Sequence, residues 1–313
     1  MSSRRFRRWN SPTLAPRLAG HSGLPLPLPL LLSLPFSWSL SLVLSAWLML
    51  GPPAAYWSLA QEVPVAADES VPAAAPLERE LVVAERWTIE HPTHHVQGLC
   101  VSDEAFWISS VERAARRGWI FRVDRRTLAV SGQRELTFAA QYHPGGMQRV
   151  GDTVWVAVAE YRPRSTSRVV RLDAVTLETR GELAVDDHLG AVAADGHDRL
   201  WAVNWDARQF YQLSGDGRVL AVRDSPTGVA YQDIEWHEGL LLGVGWLKEG
   251  GGRAVVDTID PVRWQLLERD VLVGEVASGG RNFGREGFAL WRQSYFVLPE
   301  DGPRSTVYRF ALP

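Results

Sequence analysis

From about residue 80 to its end, the chain is filled by short apolar runs cut by Gly, Asp, Ser and Pro. That is the pattern of β-strands joined by tight turns, and no stretch carries the 3.6-residue apolar period of an amphipathic helix. The runs recur in groups, each opening with a small residue behind a polar cluster. The openings are Gln97-Gly98-Leu99, Gly145-Gly146-Met147, Leu189-Gly190-Ala191, Gln232-Asp233-Ile234 and Glu286-Gly287-Phe288. Their middle residues lie 48, 44, 43 and 54 positions apart, close to the length of a four-stranded propeller blade.

A second strand begins about nine residues after each opening, at Phe106-Trp107-Ile108, Val154-Trp155-Val156, Leu200-Trp201-Ala202, Leu241-Leu242-Gly243 and Tyr295-Phe296-Val297. Turn residues such as Ser102-Asp103, Gly151-Asp152 and Gly196-His197-Asp198 separate the pairs, as hairpins require. Third strands repeat too: Arg122-Val123-Asp124 with Thr127-Leu128 is echoed by Arg171-Leu172-Asp173 with Thr176-Leu177. A fourth strand closes the first four groups, for example Leu177 to Val185 and Arg263 to Val271. The last group stops at its third strand, Thr306 to Leu312, while the orphan strand Glu80 to Ile89 opens the domain. Together they predict an all-β, five-bladed β-propeller closed by an N-terminal outer strand, which protects the exposed edges. A six-bladed ring is the alternative, and it needs a further unit of about 40 residues. Fourteen Trp residues fit as apolar filling between blades.

The N-terminus changes the picture. Arg4, Arg5, Arg7 and Arg8 precede an apolar run that reaches Leu50, and small residues follow, with Ser58 and Ala60 placed as an A-x-A-type cleavage site. This is the order of an export signal. The 21 residues from Leu30 to Leu50 also suffice to span a bilayer. Residues 1–60 are therefore expected to be a signal peptide or a membrane anchor, 61–78 an Ala/Pro-rich linker, and 79–313 the propeller. The expected location is outside the cytoplasm, with membrane contact only through the N-terminal segment, as a monomer. Cys100, the single cysteine, excludes an internal disulfide and reads as a buried strand residue. A net charge of −3 with scattered basic residues gives no nucleic-acid footprint.

In a propeller the loops before the first strands and between second and third strands open on one face, at the mouth of the central channel. The pre-strand segments carry His94, His95 and Gln97, Tyr142 and His143, Asp187 and His188, Gln232 and Asp233, and Asn282, Arg285 and Glu286. His95, His143, His188, Asp233 and Glu286 are the candidates for acid/base work. His94, Gln97, Tyr142, Asp187, Gln232, Asn282 and Arg285 are candidates for ligand contact. Convergent His and carboxylate groups suit Zn²⁺, whereas Gln97, Asp233, Asn282 and Glu286 suit an oxygen-rich Ca²⁺ site; a divalent metal is one expectation and ordinary channel polarity the other. Five residues after Trp107, Trp155, Trp201 and Phe296 stand Glu112, Glu160, Asp206 and Asp301, each followed by arginine. Glu112, Glu160 and Asp206 join the ligand candidates as a charged rim, although such pairs also serve simply to tie loops together. No nucleophile elbow or phosphate-binding loop is present.

The segments His94-His95-Val96-Gln97-Gly98, Tyr142-His143-Pro144-Gly145-Gly146, Ala159-Glu160-Tyr161-Arg162-Pro163, Asp186 to Val192, Asn204-Trp205-Asp206, Gly228 to Asp233, Arg285-Glu286-Gly287 and Leu298 to Pro303 resemble a bacterial propeller family of unknown function, over roughly residues 85 to 312. The resemblance implies a propeller and no particular activity. Gln97-Gly98-Leu99 with Glu112 is similar to plant-type glutaminyl cyclotransferases, also five-bladed. Glu286-Gly287 is similar to a pair in the six-bladed gluconolactonase-like propellers. The expected functions are a small-molecule hydrolase, lyase or cyclotransferase, a module that captures a sugar, peptide or metabolite, or a protein-interaction platform.

Overall fold

The computed structural model describes residues 76–247, 252–277, 282–299, 302 and 304–313, all within one compact unit, Glu69–Pro313. The expected signal or anchor and nearly all of the expected linker lie outside the described residues; strand β1 (Leu77–Ile89) starts two residues inside that linker. The protein is all-β, and the described residues hold a single 3-10 turn, Trp205–Ala207. Among the described residues no helix is long and apolar enough to cross a membrane.

The strands form antiparallel meanders. The first is β2 (His95–Val101), β3 (Ala105–Glu112), β4 (Arg117–Asp124) and β5 (Val130–Glu135). The next is β6 (Gln141–Val150), β7 (Thr153–Glu160), β8 (Ser167–Asp173) and β9 (Thr179–Val185). Then come β10 (Leu189–Ala194), β11 (Arg199–Asn204), β12 (Gln209–Ser214) and β13 (Val219–Asp224), followed by β14 (Ala230–His237), β15 (Leu240–Trp246), β16 (Ala254–Asp260) and β17 (Gln265–Val273). The last three strands are β18 (Gly287–Leu290), β19 (Ser294–Leu298) and β20 (Ser305–Ala311). Each expected opening segment lies at an innermost strand.

The repeated Asp-x-x-Thr-Leu has a local cause. Asp124 Oδ1 accepts from the amides of Arg126 and Thr127, and Asp173 Oδ1 from those of Val175 and Thr176. Both turns then place Leu128 or Leu177 in the left-handed region, at φ 59° and 61°. Asp260 repeats the device with Val262, Arg263 and a left-handed Trp264. An aspartate that imitates a backbone turn fixes the β4–β5, β8–β9 and β16–β17 hairpins.

The cores sit between meanders rather than within them. One buried cluster joins Cys100, Trp107 and Ile120 to Met147, Val156 and Val170. Others join Ala157 and Val169 to Leu189 and Val192, and Ala191 and Trp201 to Tyr231 and Leu241. A further cluster joins Leu242 and Val244 to Phe288 and Tyr308, and a last one returns from Ala289 and Phe296 to Leu99 and Phe106. The sheets thus pack face to face around an axis lined by β2, β6, β10, β14 and β18, in a β-propeller arrangement. The inner strands approach so closely that a Cβ on Gly145 would collide with the Gly190 carbonyl, and one on Gly146 with the Asp233 carboxylate. That is why small residues open the groups.

β1 clamps the join. Leu77–Val82 pairs in parallel with Glu268–Val273 of β17, and Val83–Ile89 then pairs antiparallel with β20. Arg79 is bidentate to the buried Asp270, at 2.7 and 2.9 Å, and also reaches Glu268.

Candidate active site

At one end of the axis the pre-strand segments and the second-to-third-strand loops enclose a cavity of about 240 Å³. His95 and Gln97 enter from β2, His143 from β6, and His188 from the residue just before β10. Gln232 comes from β14, and Arg285 and Glu286 from the segment before β18. Asp206 comes from the 3-10 turn after β11.

Gln97 is the hub. His143 Nε2 lies 2.8 Å from Gln97 Oε1 and must donate to it, which fixes the tautomer. Gln97 Nε2 lies within 2.9 Å of Glu286 Oε2 and of His95 Nε2, and 2.7 Å from the Val96 carbonyl. The other ring nitrogen of His143, Nδ1, is buried without a hydrogen-bond partner among the described residues. His188 donates from Nδ1 to the Arg162 carbonyl at 3.0 Å, leaving Nε2 as its acceptor. The His143 and His188 rings stand 5.4 Å apart, and Trp205 meets His188 edge-on at 4.6 Å.

Both rings stay uncharged at neutral pH. Burial pushes His143 well below its ordinary 6.5, and His188, His95 and Arg113 push it further the same way. Burial also lowers His188, against its hydrogen bonds to the Arg162 and Glu160 carbonyls. The cations are at the rim. Arg113 lies over Tyr161 and Arg285 over Trp246, with the guanidinium 5.6 and 4.7 Å from the ring centres. Among the described residues neither arginine forms an ion pair. Glu286 and Asp206 hold left-handed backbone, at φ 66° and 62°. Non-glycine residues reach that region at a cost of about 1–3 kcal/mol, and such strain gathers at functional sites.

Other expected residues fall elsewhere. Asp233 lies deeper on the axis, fully buried, where its carboxylate accepts from the amides of Leu99, Phe288 and Ile234. It is a pin between β14, β2 and β18 rather than a group open to ligand. His94 turns away beside Phe121, its carbonyl bonded to the Gly302 amide. Tyr142 stacks behind Tyr161. Asp187 takes the Tyr211 hydroxyl at 2.6 Å in an adjoining cleft. Asn282 bridges the Gly252 carbonyl and the Gly284 amide. Glu112 binds the Trp119 indole and Glu160 binds Arg162 and Thr166, so both tie loops together. Asp301 lies outside the described residues.

The wall residues Tyr161, Trp205, Tyr231 and Trp246 were not among the expected site residues, whereas Arg113 is the arginine that follows Glu112 in the expected charged rim. Aromatic walls carry no titratable signal in a sequence; theirs was the clustering of Tyr161 and Trp205 in segments that resemble the family. The donor set does not fit a metal: among the described residues no group of three or more His, Cys, Asp or Glu is placed to hold one. Gln97 occupies the position between His95, His143 and Glu286 that an ion would need.

Residues 82–229 match the model of a family described as "Family of unknown function (DUF6454)". No curated protein matches. Among solved structures, BamB from Moraxella catarrhalis is similar at 12% identity and a TM-score of 0.39, over 69% of this chain and 83% of that one. A protein of unknown function from Bacteroides caccae is similar at 7% identity and a TM-score of 0.46, over 66% and 71%. A luciferin-regenerating enzyme is similar at 10% identity and a TM-score of 0.43, over 69% and 77%. The family match takes in His95, Gln97, Arg113, His143, Tyr161, His188, Trp205 and Asp206 and stops before Arg285 and Glu286.

Proposed function

We propose that the chain is an exported, monomeric, five-bladed propeller, closed by β1, that carries out acid/base chemistry on a small anionic molecule at the channel mouth. The observation that carries this reading is the hydrogen-bonded set His143–Gln97–Glu286, buried beneath two arginines that lack carboxylate partners among the described residues. Glu286 is the proton-transferring carboxylate, oriented by Gln97, and the Nε2 acceptor of His188 is the second proton site. Arg113 and Arg285 hold the anionic group of the substrate, and Tyr161, Trp205 and Trp246 wall its body. The reactions that fit are hydrolysis, elimination or cyclisation, none of which needs a metal in this arrangement. The basic, apolar and small-residue segments before residue 61 support export, with an uncleaved anchor as the alternative.

Plain capture of the same ligand is a second reading, favoured by the aromatic walls. The test is proton NMR of the full chain incubated with carboxylate-bearing lactones, esters and glutaminyl peptides. Turnover lost by about a hundredfold or more in Glu286→Gln is the expected result. Binding without turnover, weakened by Arg113→Ala and Arg285→Ala, supports capture instead. Neither turnover nor arginine-dependent binding overturns both readings.

A further inference from the structure

The axis has a second end. Beyond Asp233, on the opposite face, lies a larger cavity of about 780 Å³, within the range of pockets that enclose small organic ligands. At its inner wall is Glu235, only 6% exposed. It sits two residues after Asp233 on β14, so both side chains point to the axis. Glu235 Oε2 accepts from the Leu290 amide at 2.8 Å, and among the described residues no cation pairs with the carboxyl. The remaining wall is part aromatic and aliphatic, with Trp236, Trp291, Tyr295, Leu242 and Leu290, and part polar, with Arg79, Arg149, Arg292, Gln148 and Glu268 among its members.

The other charged groups at this cavity are mostly engaged. Arg79 pairs with Glu268 and Asp270, Arg292 with Asp103, and His237 lies 3.9 Å from Glu238. Arg149 is drawn aside over the Trp107 ring at 5.1 Å. Gln148 is consumed by the backbone, bonding Trp236 and Ala194. Of the carboxyl groups lining the cavity, Glu235 is thus the buried one with no cation paired to it among the described residues. Arg149, whose Nε is buried without a hydrogen-bond partner, is a cation of the same wall with no carboxylate paired to it among those residues. One rim turn is strained as well, with Arg292 and Gln293 both at positive φ, where a two-residue hairpin favours Asn or Gly.

We propose that this far-end cavity is a second ligand site, which takes a small organic cation with an apolar body and uses Glu235 as its counter-ion. An ammonium group meets the carboxylate, the surrounding rings attract the cation, and the aliphatic wall covers its body. The proposal is independent of the chemistry at the channel mouth. Burial holds the Glu235 carboxyl up at about 8 in the empty site. An arriving cation lowers it, so binding at pH 7 must expel the proton.

The test is isothermal calorimetry of the full-length chain with n-hexylammonium, n-hexanol and hexanoate, in two buffers of different ionisation enthalpy. The expected result is one hexylammonium per chain, with proton release approaching one per site at pH 7. Affinity should rise towards pH 8 and level off above it, in line with the carboxyl at about 8. Glu235→Gln, which keeps the acceptor for the Leu290 amide, should abolish the proton release and weaken binding roughly tenfold or more. Hexanol or hexanoate binding as tightly as the amine overturns the proposal. So does hexylammonium binding to the unaltered chain without proton release, a result that needs no variant to fold.

Discussion

The two cavities share strands β2, β6 and β14, yet they solve opposite electrostatic problems. At the mouth, burial works on bases: His143 and His188 are held uncharged below their ordinary range. At the far end it works on acids: Glu235 is held protonated up to about 8, and burial raises Asp233 as well, with the nearby Glu235 adding to it. Between them Asp233 fills the axis, so the two cavities share a scaffold and no through-passage is needed for either. The lesson is that a propeller axis is not one uniform polar tube. Each layer of inward side chains sets its own charge state, and only layers whose groups keep free valences face a cavity.

The sharpest way to break the comparison is to remove the divider. Asp233→Ala leaves the amides of Leu99, Phe288 and Ile234 without an acceptor at a site with no room for bulk water. Each buried, unsatisfied amide costs about 1–3 kcal/mol, so the loss over three of them should be roughly 3–9 kcal/mol. Asp233→Asn keeps one acceptor oxygen and should lose less. Urea unfolding of the two variants measures this. An alanine variant as stable as the unaltered chain would mean that the axis is not pinned here and that the two cavities communicate.

A smaller effect separates the ends by pH. The Glu235 carboxyl has a raised folded pKa, so its contribution is present below the unfolded value of about 4.5 and is lost as pH rises through about 8. The histidines have depressed folded values, so their contribution is present above about 6.5 and is lost as pH falls below it. On the acid side the raised carboxyls and the lowered histidines oppose each other, so each contribution is read from its own variant and not from the net profile. Glu235→Gln should flatten the alkaline limb and gain a few kcal/mol at pH 9, since one pKa unit is worth about 1.4 kcal/mol. His143→Gln, which can still donate to Gln97, should relieve about 1–2 kcal/mol of the acid limb near pH 5. Thermal unfolding across pH 5 to 9 reads both. If the substitutions exchanged their limbs, the assignment of charge states would be wrong.

Much of the fold could be read from the chain, because hairpins leave local marks. Asp124, Asp173 and Asp260 announce their turns, and the glycines at 98, 146, 190 and 287 announce the crowded inner strands. The parallel pairing of Leu77–Val82 with β17 left no such mark: a parallel partner lies far off in sequence, and only Arg79 meeting Asp270 reveals it in space. The mouth was half legible. His95, Gln97, His143, His188, Gln232, Arg285, Glu286 and Asp206 share one cavity as the loop geometry implied. Asp233 misled because strand alternation puts it on the axis but cannot say how deep. The far end left little mark in the sequence: His237 reads there as an ordinary surface residue at the end of its strand, and no charged repeat marks the face that Glu235 approaches.

The smallest expected effect tests whether the rim belongs to the mouth at all. Glu160 accepts from Arg162 Nε at 2.9 Å and from the Thr166 hydroxyl, and its pair lies at the surface outside the cavity lining. Exposed pairs of this kind contribute little, because solvent screens them and both side chains lose freedom in making them. Glu160→Gln keeps an acceptor for Thr166, so its melting temperature should match that of the unaltered chain within about a degree. Anion binding at the mouth should be equally unmoved, since Arg113 and Arg285, not Arg162, overlook the cavity. A clear loss of binding in Glu160→Gln would show that the loop Tyr161–Thr166 positions Tyr161 through this carboxylate. The boundary between tied loops and ligand contacts would then have to move outward by one layer.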